Sequence, residues 1–287
     1  MKYDIAFPHL NIYIEDIINS FDIGNFTIAF YGIIMSIAMI LGFLIVLHFA
    51  SKSKQNTDYY YDLFIFVIIF SIIGARAYYV IFNWAYYSTY PSQIINLRAG
   101  GLAIYGGIIF GVLTTFVFCK IRKISFIKTV DTAIIGVALG QAIGRWGNFF
   151  NMEAFGTYTN NPLAMQIRKD LVNKYAITIE MLYNQIKNGE YVYVQMHPTF
   201  LYESIACLII FVILMIVFNH KKHNGVVFAT YMVLYGIARF FIEGLRTDSL
   251  YIGRTDNRVS QIFSIVIFAI GIIILVYNLL IKRKEKI

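Results

Sequence analysis

Seven stretches of this sequence are apolar for close to 20 residues each, and that feature leaves the chain few folds to choose from. They run from Thr27 to Leu47, Leu63 to Phe82, Leu102 to Cys119, Thr132 to Phe150, Phe200 to Phe218, Gly225 to Phe241 and Val259 to Ile281. A helix rises about 1.5 Å per residue, so each run is long enough to cross about 30 Å of hydrocarbon with some tilt. Composition closes off the soluble alternative. Of 287 residues 59% are hydrophobic and only 14% are charged, whereas a soluble domain needs roughly 25% charged residues to cover its core. The expected fold is an all-α polytopic membrane protein with seven transmembrane helices.

Basic residues orient the spans. Lys52 and Lys54 follow span one; Lys120, Arg122, Lys123 and Lys128 separate spans three and four; Lys221 and Lys222 separate five and six; Lys282, Arg283, Lys284 and Lys286 follow seven. The opposite side carries Lys2, Arg98, Arg168, Lys169, Lys174, Lys187, Arg246, Arg254 and Arg258, spread over much longer segments. The crowded side is cytoplasmic by the positive-inside rule, which puts the N-terminus outside and the C-terminus inside. The net charge of +8 is then largely a topology signal, and no nucleic-acid partner is implied.

The expected organisation is an interfacial, extracytoplasmic N-terminal segment (1–26), spans one to four (27–150), an extracytoplasmic head (151–199), spans five to seven (200–281) and a basic cytoplasmic tail (282–287). Asp4, Glu15, Asp16 and Asp22 interrupt any apolar core in the first segment, so it does not read as a signal peptide. The segment from Asn151 to Thr199 is too long for a structureless loop and carries a predicted short helix around Thr178 to Lys187. Cys119 and Cys207 lie at the end of one apolar run and inside another. Neither has the setting of a disulfide or a zinc ligand, and both read as small buried hydrophobes.

Against this background the charges inside the spans stand out. Arg76, Arg145 and Arg239 lie within or at the edge of apolar runs, where a guanidinium costs about 2.5 to 3.5 kcal/mol on insertion scales and needs a counter-charge, water or an anionic ligand. All three fall toward the outer leaflet, and so do Tyr31, Tyr105, Asn148, Glu153, His197, Glu203 and Glu243. Plainer readings exist for each residue alone. An arginine near a helix end can snorkel to the headgroups, and Arg239 and Glu243 have the spacing of a helical ion pair. His197 before Pro198 fits a helix start, and Tyr31 fits an aromatic belt. Independent snorkelling, however, places arginines at both faces of the membrane, whereas here the polar groups converge on one. Gly136, Gly140 and Gly144 line one face of span four, and Gly106, Gly107 and Gly111 open span three; both sets permit close helix packing.

The run Gly144-Arg145-Trp146-Gly147-Asn148-Phe149-Phe150-Asn151-Met152-Glu153 resembles the signature of the prolipoprotein diacylglyceryl transferases, Gly-Arg-x-Gly-Asn-Phe-x-Asn followed by an acidic residue. Four further pieces resemble the same family in the same order. They are Ala75-Arg76-Ala77-Tyr78-Tyr79-Val80-Ile81-Phe82-Asn83, the glycine-rich run from Gly100 to Gly107, His197-Pro198-Thr199-Phe200-Leu201-Tyr202-Glu203, and Tyr235-Gly236-Ile237-Ala238-Arg239-Phe240-Phe241-Ile242-Glu243 followed by Arg246.

The resemblance implies a bacterial cell-membrane enzyme of lipoprotein maturation. Such enzymes move the diacylglyceryl unit of phosphatidylglycerol onto the thiol of a lipobox cysteine in a prolipoprotein, forming a thioether and releasing glycerol phosphate. The implied partners are phosphatidylglycerol, the prolipoprotein signal peptide and membrane lipids; neither metal nor cofactor enters the scheme. Arg145 and Arg239 are expected to hold the lipid phosphate through charge-assisted hydrogen bonds, with Asn148, Tyr31, Arg76, Tyr235 and Arg246 as further lipid-binding residues. Many relatives have histidine where this chain has Tyr105, which is read as a hydrogen-bonding or proton-relaying group. Glu153, Glu203, Glu243 and His197 stay open as base, arginine orienter or structural partner. The alternative from another class is a transporter or flippase for an anionic lipid or solute, although no internal repeat of the kind transporters use is visible.

Overall fold

The computed structural model describes residues 2–24, 26–97, 100–251 and 255–284. Arg98, Arg254 and Lys286, counted above for topology, lie outside the described residues. In chain order the elements are β1 (Ile5–Phe7), β2 (Ile12–Ile14), β3 (Ser20–Ile23), β4 (Phe26–Ala29), α1 (Phe30–Lys52), α2 (Asp58–Phe82), α3 (Trp84–Thr89), α4 (Ile104–Arg122), α5 (Phe126–Phe150), β5 (Met165–Arg168), α6 (Ile179–Tyr183), β6 (Ile186–Asn188), β7 (Tyr191–Met196), α7 (Thr199–His220), α8 (Val226–Leu245) and α9 (Val259–Lys284). Seven of these helices, α1, α2, α4, α5, α7, α8 and α9, are long and apolar enough to cross a membrane. They are the seven runs of the sequence with shifted ends. The first run opens at Thr27, yet Phe26–Ala29 pairs with Ser20–Ile23 as a hairpin, and the helix begins at Phe30.

The chain divides into two compact units, Met1–Leu44 with Ile134–Ile287, and Ile45–Ala133. In the first unit the glycine face of α5 seats α1. A Cβ on Gly42 would lie 2.7 Å from the Gly136 carbonyl oxygen, Gly140 faces the Ala38 carbonyl, Gly144 faces the Met35 sulfur, and a Cβ on Gly147 would lie 2.7 Å from the Tyr31 ring. The two helices therefore run antiparallel with almost no side chain between them, the small-residue packing expected in lipid. The α8–α9 pair repeats the device, with Gly236 against the Ser264 carbonyl and Gly271 against the Ala229 carbonyl.

A five-stranded antiparallel sheet, in the order β2-β1-β5-β7-β6, caps one end of these helices. Ile5, Phe7, Met165, Ile167, Val194 and Met196 point from the sheet into a core that includes Phe149 at the end of α5 and Phe200 at the start of α7. The other face buries Tyr3 and Tyr193, stacked at 4.0 Å, and joins Tyr3 to Gln166 and Gln166 to Gln195, each at 2.8 Å. The N-terminal residues are thus part of the same sheet as the segment between α5 and α7, through β1–β5 pairing, and do not stand as a separate segment. The helix expected around Thr178 to Lys187 is shorter. Thr178 caps α6, which ends at Tyr183, and Ile186–Asn188 is a strand paired with β7.

In the second unit α2 and α4 pack through the glycines that open α4. Gly106 abuts the Gly74 carbonyl, Gly107 lies over the Ser71 carbonyl, and Gly111 faces the Ser71 hydroxyl.

Candidate active site

Three helices of the first unit bring charge together just below the sheet. Arg145 lies near the end of α5, Glu203 in the first turn and a half of α7, and Arg239 and Glu243 near the end of α8. Glu203 is 2% exposed, and its carboxylate divides itself between two arginines. Arg145 donates from Nη2 to Oε1 at 2.6 Å, and Arg239 donates from Nη1 to Oε2 at 2.8 Å. The Tyr235 hydroxyl adds a third donor to Oε1 at 3.2 Å. Arg239 also sets Nη2 2.6 Å from Glu243 Oε2, an ion pair one helical turn along α8. The buried charges are thereby paired, as a low-dielectric setting demands.

From Arg145 the network continues outward. Its Nη1 reaches Asn148 Oδ1 at 3.4 Å, Asn148 Nδ2 donates to Glu153 Oε1 at 3.0 Å, and Asn151 Nδ2 donates to the same oxygen at 3.2 Å. Glu153 is exposed, so the chain of polar groups runs from a buried carboxylate to a solvent-facing one. Tyr31 stands beside this run because its ring fills the space a side chain at position 147 would occupy.

Other expected residues take other hydrogen-bond partners. His197 belongs to a second cluster, its Nδ1 3.2 Å from the Tyr202 hydroxyl and 3.4 Å from Asn161 Nδ2. Burial pushes its pKa below the ordinary histidine range, against the opposing pull of Glu180. Arg246 forks onto Asp248 at 2.9 and 2.7 Å. Arg76 and Tyr105 belong to the second unit. There Arg76 gives all five guanidinium N–H groups to backbone carbonyls, those of Gln93, Ile94, Asn96, Gly100 and Gly101, a geometry with no donor left over for a lipid phosphate.

A family model described as prolipoprotein diacylglyceryl transferase matches residues 19–277. The chain belongs to the prolipoprotein diacylglyceryl transferase family. Among its relatives, the phosphatidylglycerol–prolipoprotein diacylglyceryl transferase of Finegoldia magna is 46% identical over 93% of this chain and 96% of the relative. The enzymes of the same name from Clostridioides difficile and Clostridium botulinum are 43% and 41% identical, over 93% of this chain and 96% and 98% of the relatives. Membership of the diacylglyceryl transferase family makes the chain a transferase acting in lipoprotein maturation, and with its seven apolar helices it is a multi-pass membrane protein.

Sequence reading missed several supports of the cluster in this diacylglyceryl transferase. Trp146 Nε1 donates to Ser204 Oγ, which donates to the Ala142 carbonyl, locking α5 to α7 beside Glu203. Tyr231 stacks on Tyr235 at 5.3 Å and donates to Gln141 at 2.9 Å. Arg258 donates to the Glu243 carbonyl. The polar residues among these occupy apolar runs without carrying charge, and Arg258 is one basic residue among many in the segment before α9, so no local signal marked them.

Proposed function

We propose that this chain transfers the diacylglyceryl group from phosphatidylglycerol to the lipobox cysteine thiol of a prolipoprotein, at the outer face of the bacterial cell membrane. The observation that carries the reading is Glu203 holding Arg145 and Arg239 on its two oxygens, inside the motifs by which the chain resembles its family. Each guanidinium has five N–H donors, and Glu203 takes one from each. The carboxylate is thus an orienter that aims both forks at one place, where the phosphate of phosphatidylglycerol binds by charge-assisted hydrogen bonds.

In the reaction the cysteine sulfur forms a bond to the terminal glyceryl carbon. The bond from that carbon to the phosphate oxygen breaks, and glycerol phosphate leaves with the electron pair. Charge grows on the departing phosphate, and donors already in place lower that barrier without reorganising. A free thiol of pKa about 8.5 is only a few per cent thiolate near neutrality, so its proton needs an acceptor. Glu153 suits that role, because it is exposed and linked to Arg145 through Asn148. Tyr105 serves as the hydrogen-bonding or relaying group where many relatives carry histidine. The head and the N-terminal strands form the extracytoplasmic face over the site, and the basic tail is cytoplasmic.

The test mixes purified protein, phosphatidylglycerol and a lipobox peptide. A peptide mass increase of one diacylglyceryl unit, with stoichiometric glycerol phosphate, is expected; neither product appearing beside an active control enzyme would overturn the reading.

A further inference from the structure

Arg76 is 7% exposed on a membrane-spanning helix, and what it binds is backbone. Nε donates to the Ile94 carbonyl at 2.8 Å, Nη1 to those of Gly100 and Gly101 at 2.6 and 2.9 Å, and Nη2 to those of Gln93 and Asn96 at 2.6 and 3.1 Å. The Tyr87 ring covers the guanidinium at 5.2 Å. These carbonyls belong to the short 3₁₀ turn Pro91–Ile95, to Asn96 just after it, and to Gly100 and Gly101 ahead of α4. A single 3₁₀ turn and the residues after it leave carbonyls that regular helix or sheet would otherwise engage, and one fixed planar fork supplies five donors to them.

The glycines are part of the device. Gly100 and Gly101 have φ of +78° and +77°, and a Cβ on Gly101 would fall 2.6 Å from Arg76 Nη1. Just beyond them the Ala103 amide donates to the Ala75 carbonyl at 3.0 Å, and Gly106 abuts the Gly74 carbonyl. The first turn of α4 is therefore pinned to Gly74 and Ala75 on both sides of Tyr105, directly beside the residue that holds the preceding turn.

We propose that Arg76 is a positioning residue that acts through Tyr105: it holds the backbone at Gln93, Ile94, Asn96, Gly100 and Gly101 so that α4 starts in one place and the Tyr105 hydroxyl is presented at one angle. This rests on the reading of Tyr105 as a hydrogen-bonding or relaying group in transfer. Lysine at position 76 keeps the charge but lacks a fork that reaches five carbonyls. Misplacement of a working group by about 1 Å costs on the order of 100-fold in rate.

The experiment is a double-mutant cycle in the full-length protein, using phosphatidylglycerol and a lipobox peptide. Arg76→Lys is expected to lower kcat by about 10- to 100-fold while KM for phosphatidylglycerol stays within about twofold. Gly101→Ala, which keeps the guanidinium but crowds it, should do the same. Arg76→Lys combined with Tyr105→Phe should be no worse than the worse single variant. Hydrogen exchange should rise in residues 100–107 and stay unchanged in α8, which separates a local release from general unfolding. A rise in KM with kcat retained would make Arg76 a lipid ligand and overturn the proposal. Losses that multiply in the double variant would also overturn it and leave the Tyr105 reading intact. A fully active Tyr105→Phe would remove that reading, and the inference with it.

Discussion

Arg145 and Glu203 are 58 residues apart in the chain and 2.6 Å apart in space, with Arg239 closing on the second oxygen of the same carboxylate at 2.8 Å. One buried glutamate thus sets the spacing of two guanidiniums carried by different helices. Its removal should disturb both. Glu203→Gln keeps the shape but turns an N–H₂ toward one of the arginines, and breaking a buried pair from one side costs about 3 to 5 kcal/mol. The expected outcome is a marked drop in detergent-solubilised thermal stability together with loss of transfer. A variant matching wild type in both assays would show that Glu203 does not organise the pair.

Arg239 serves two carboxylates at once, Glu203 through Nη1 and Glu243 through Nη2. Lysine is a point charge and lacks that fork. Arg239→Lys and Arg145→Lys should each lower kcat by about 100- to 1,000-fold, the loss of roughly 3 to 4 kcal/mol seen when one transition-state donor is removed; the alanine variants should be inactive while still inserted in the membrane. Steady-state kinetics with a lipobox peptide decides this, and near-wild-type turnover by either lysine variant would sink the phosphate clamp.

Tyr105→Phe removes one hydroxyl and keeps the ring. Transfer should fall by about 10-fold or more if that hydroxyl carries a hydrogen bond in the reaction, and wild-type rates would leave Tyr105 a packing residue.

Gly42 has no room for a methyl group, since a Cβ would lie 2.7 Å from the Gly136 carbonyl oxygen. Backbone cannot rotate away as a side chain can, so Gly42→Ala must push α1 off α5. A destabilisation of about 1 to 3 kcal/mol is expected, the usual cost of overpacking, with activity lost as Tyr31 shifts from Gly147. Thermal unfolding of the purified variant measures it; an unchanged melting temperature would mean the helices already have slack.

His197 offers a pH test. Burial lowers its pKa in the folded protein, so between the folded value and the unfolded value of about 6.5 the unfolded chain binds more protons. Stability is therefore undiminished above about pH 6.5 and falls as the pH drops through that window. His197→Gln should reduce the difference between melting temperatures taken at pH 7.5 and 5.5. An unchanged difference would show that His197 does not contribute to it.

Much of this was readable from local pattern. Apolar runs announced the spans because every residue of such a run answers to the same solvent. Gly136, Gly140 and Gly144 announced a packing face, and that face meets Gly42, Ala38 and Met35. Arg76 shows where the reading stopped. An arginine in an apolar run asks for partners without naming them, and in the structure Arg76 meets five backbone carbonyls. Likewise β1 pairs with β5, far along the chain, and nothing local in Ile5–Phe7 marks such a partner.

The sequence alone thus determined the membrane as solvent, the number of spans and the family, since these depend on residue type, run length and short motifs. Tertiary structure decided which charges meet. Helix packing carries Arg145, Glu203 and Arg239 to one point, sends His197 to Tyr202 and Asn161, and commits Arg76 to backbone. The physical reason is that a buried charge takes the partner that folding brings within about 3 Å, and that distance is set by contacts between segments far apart in the chain.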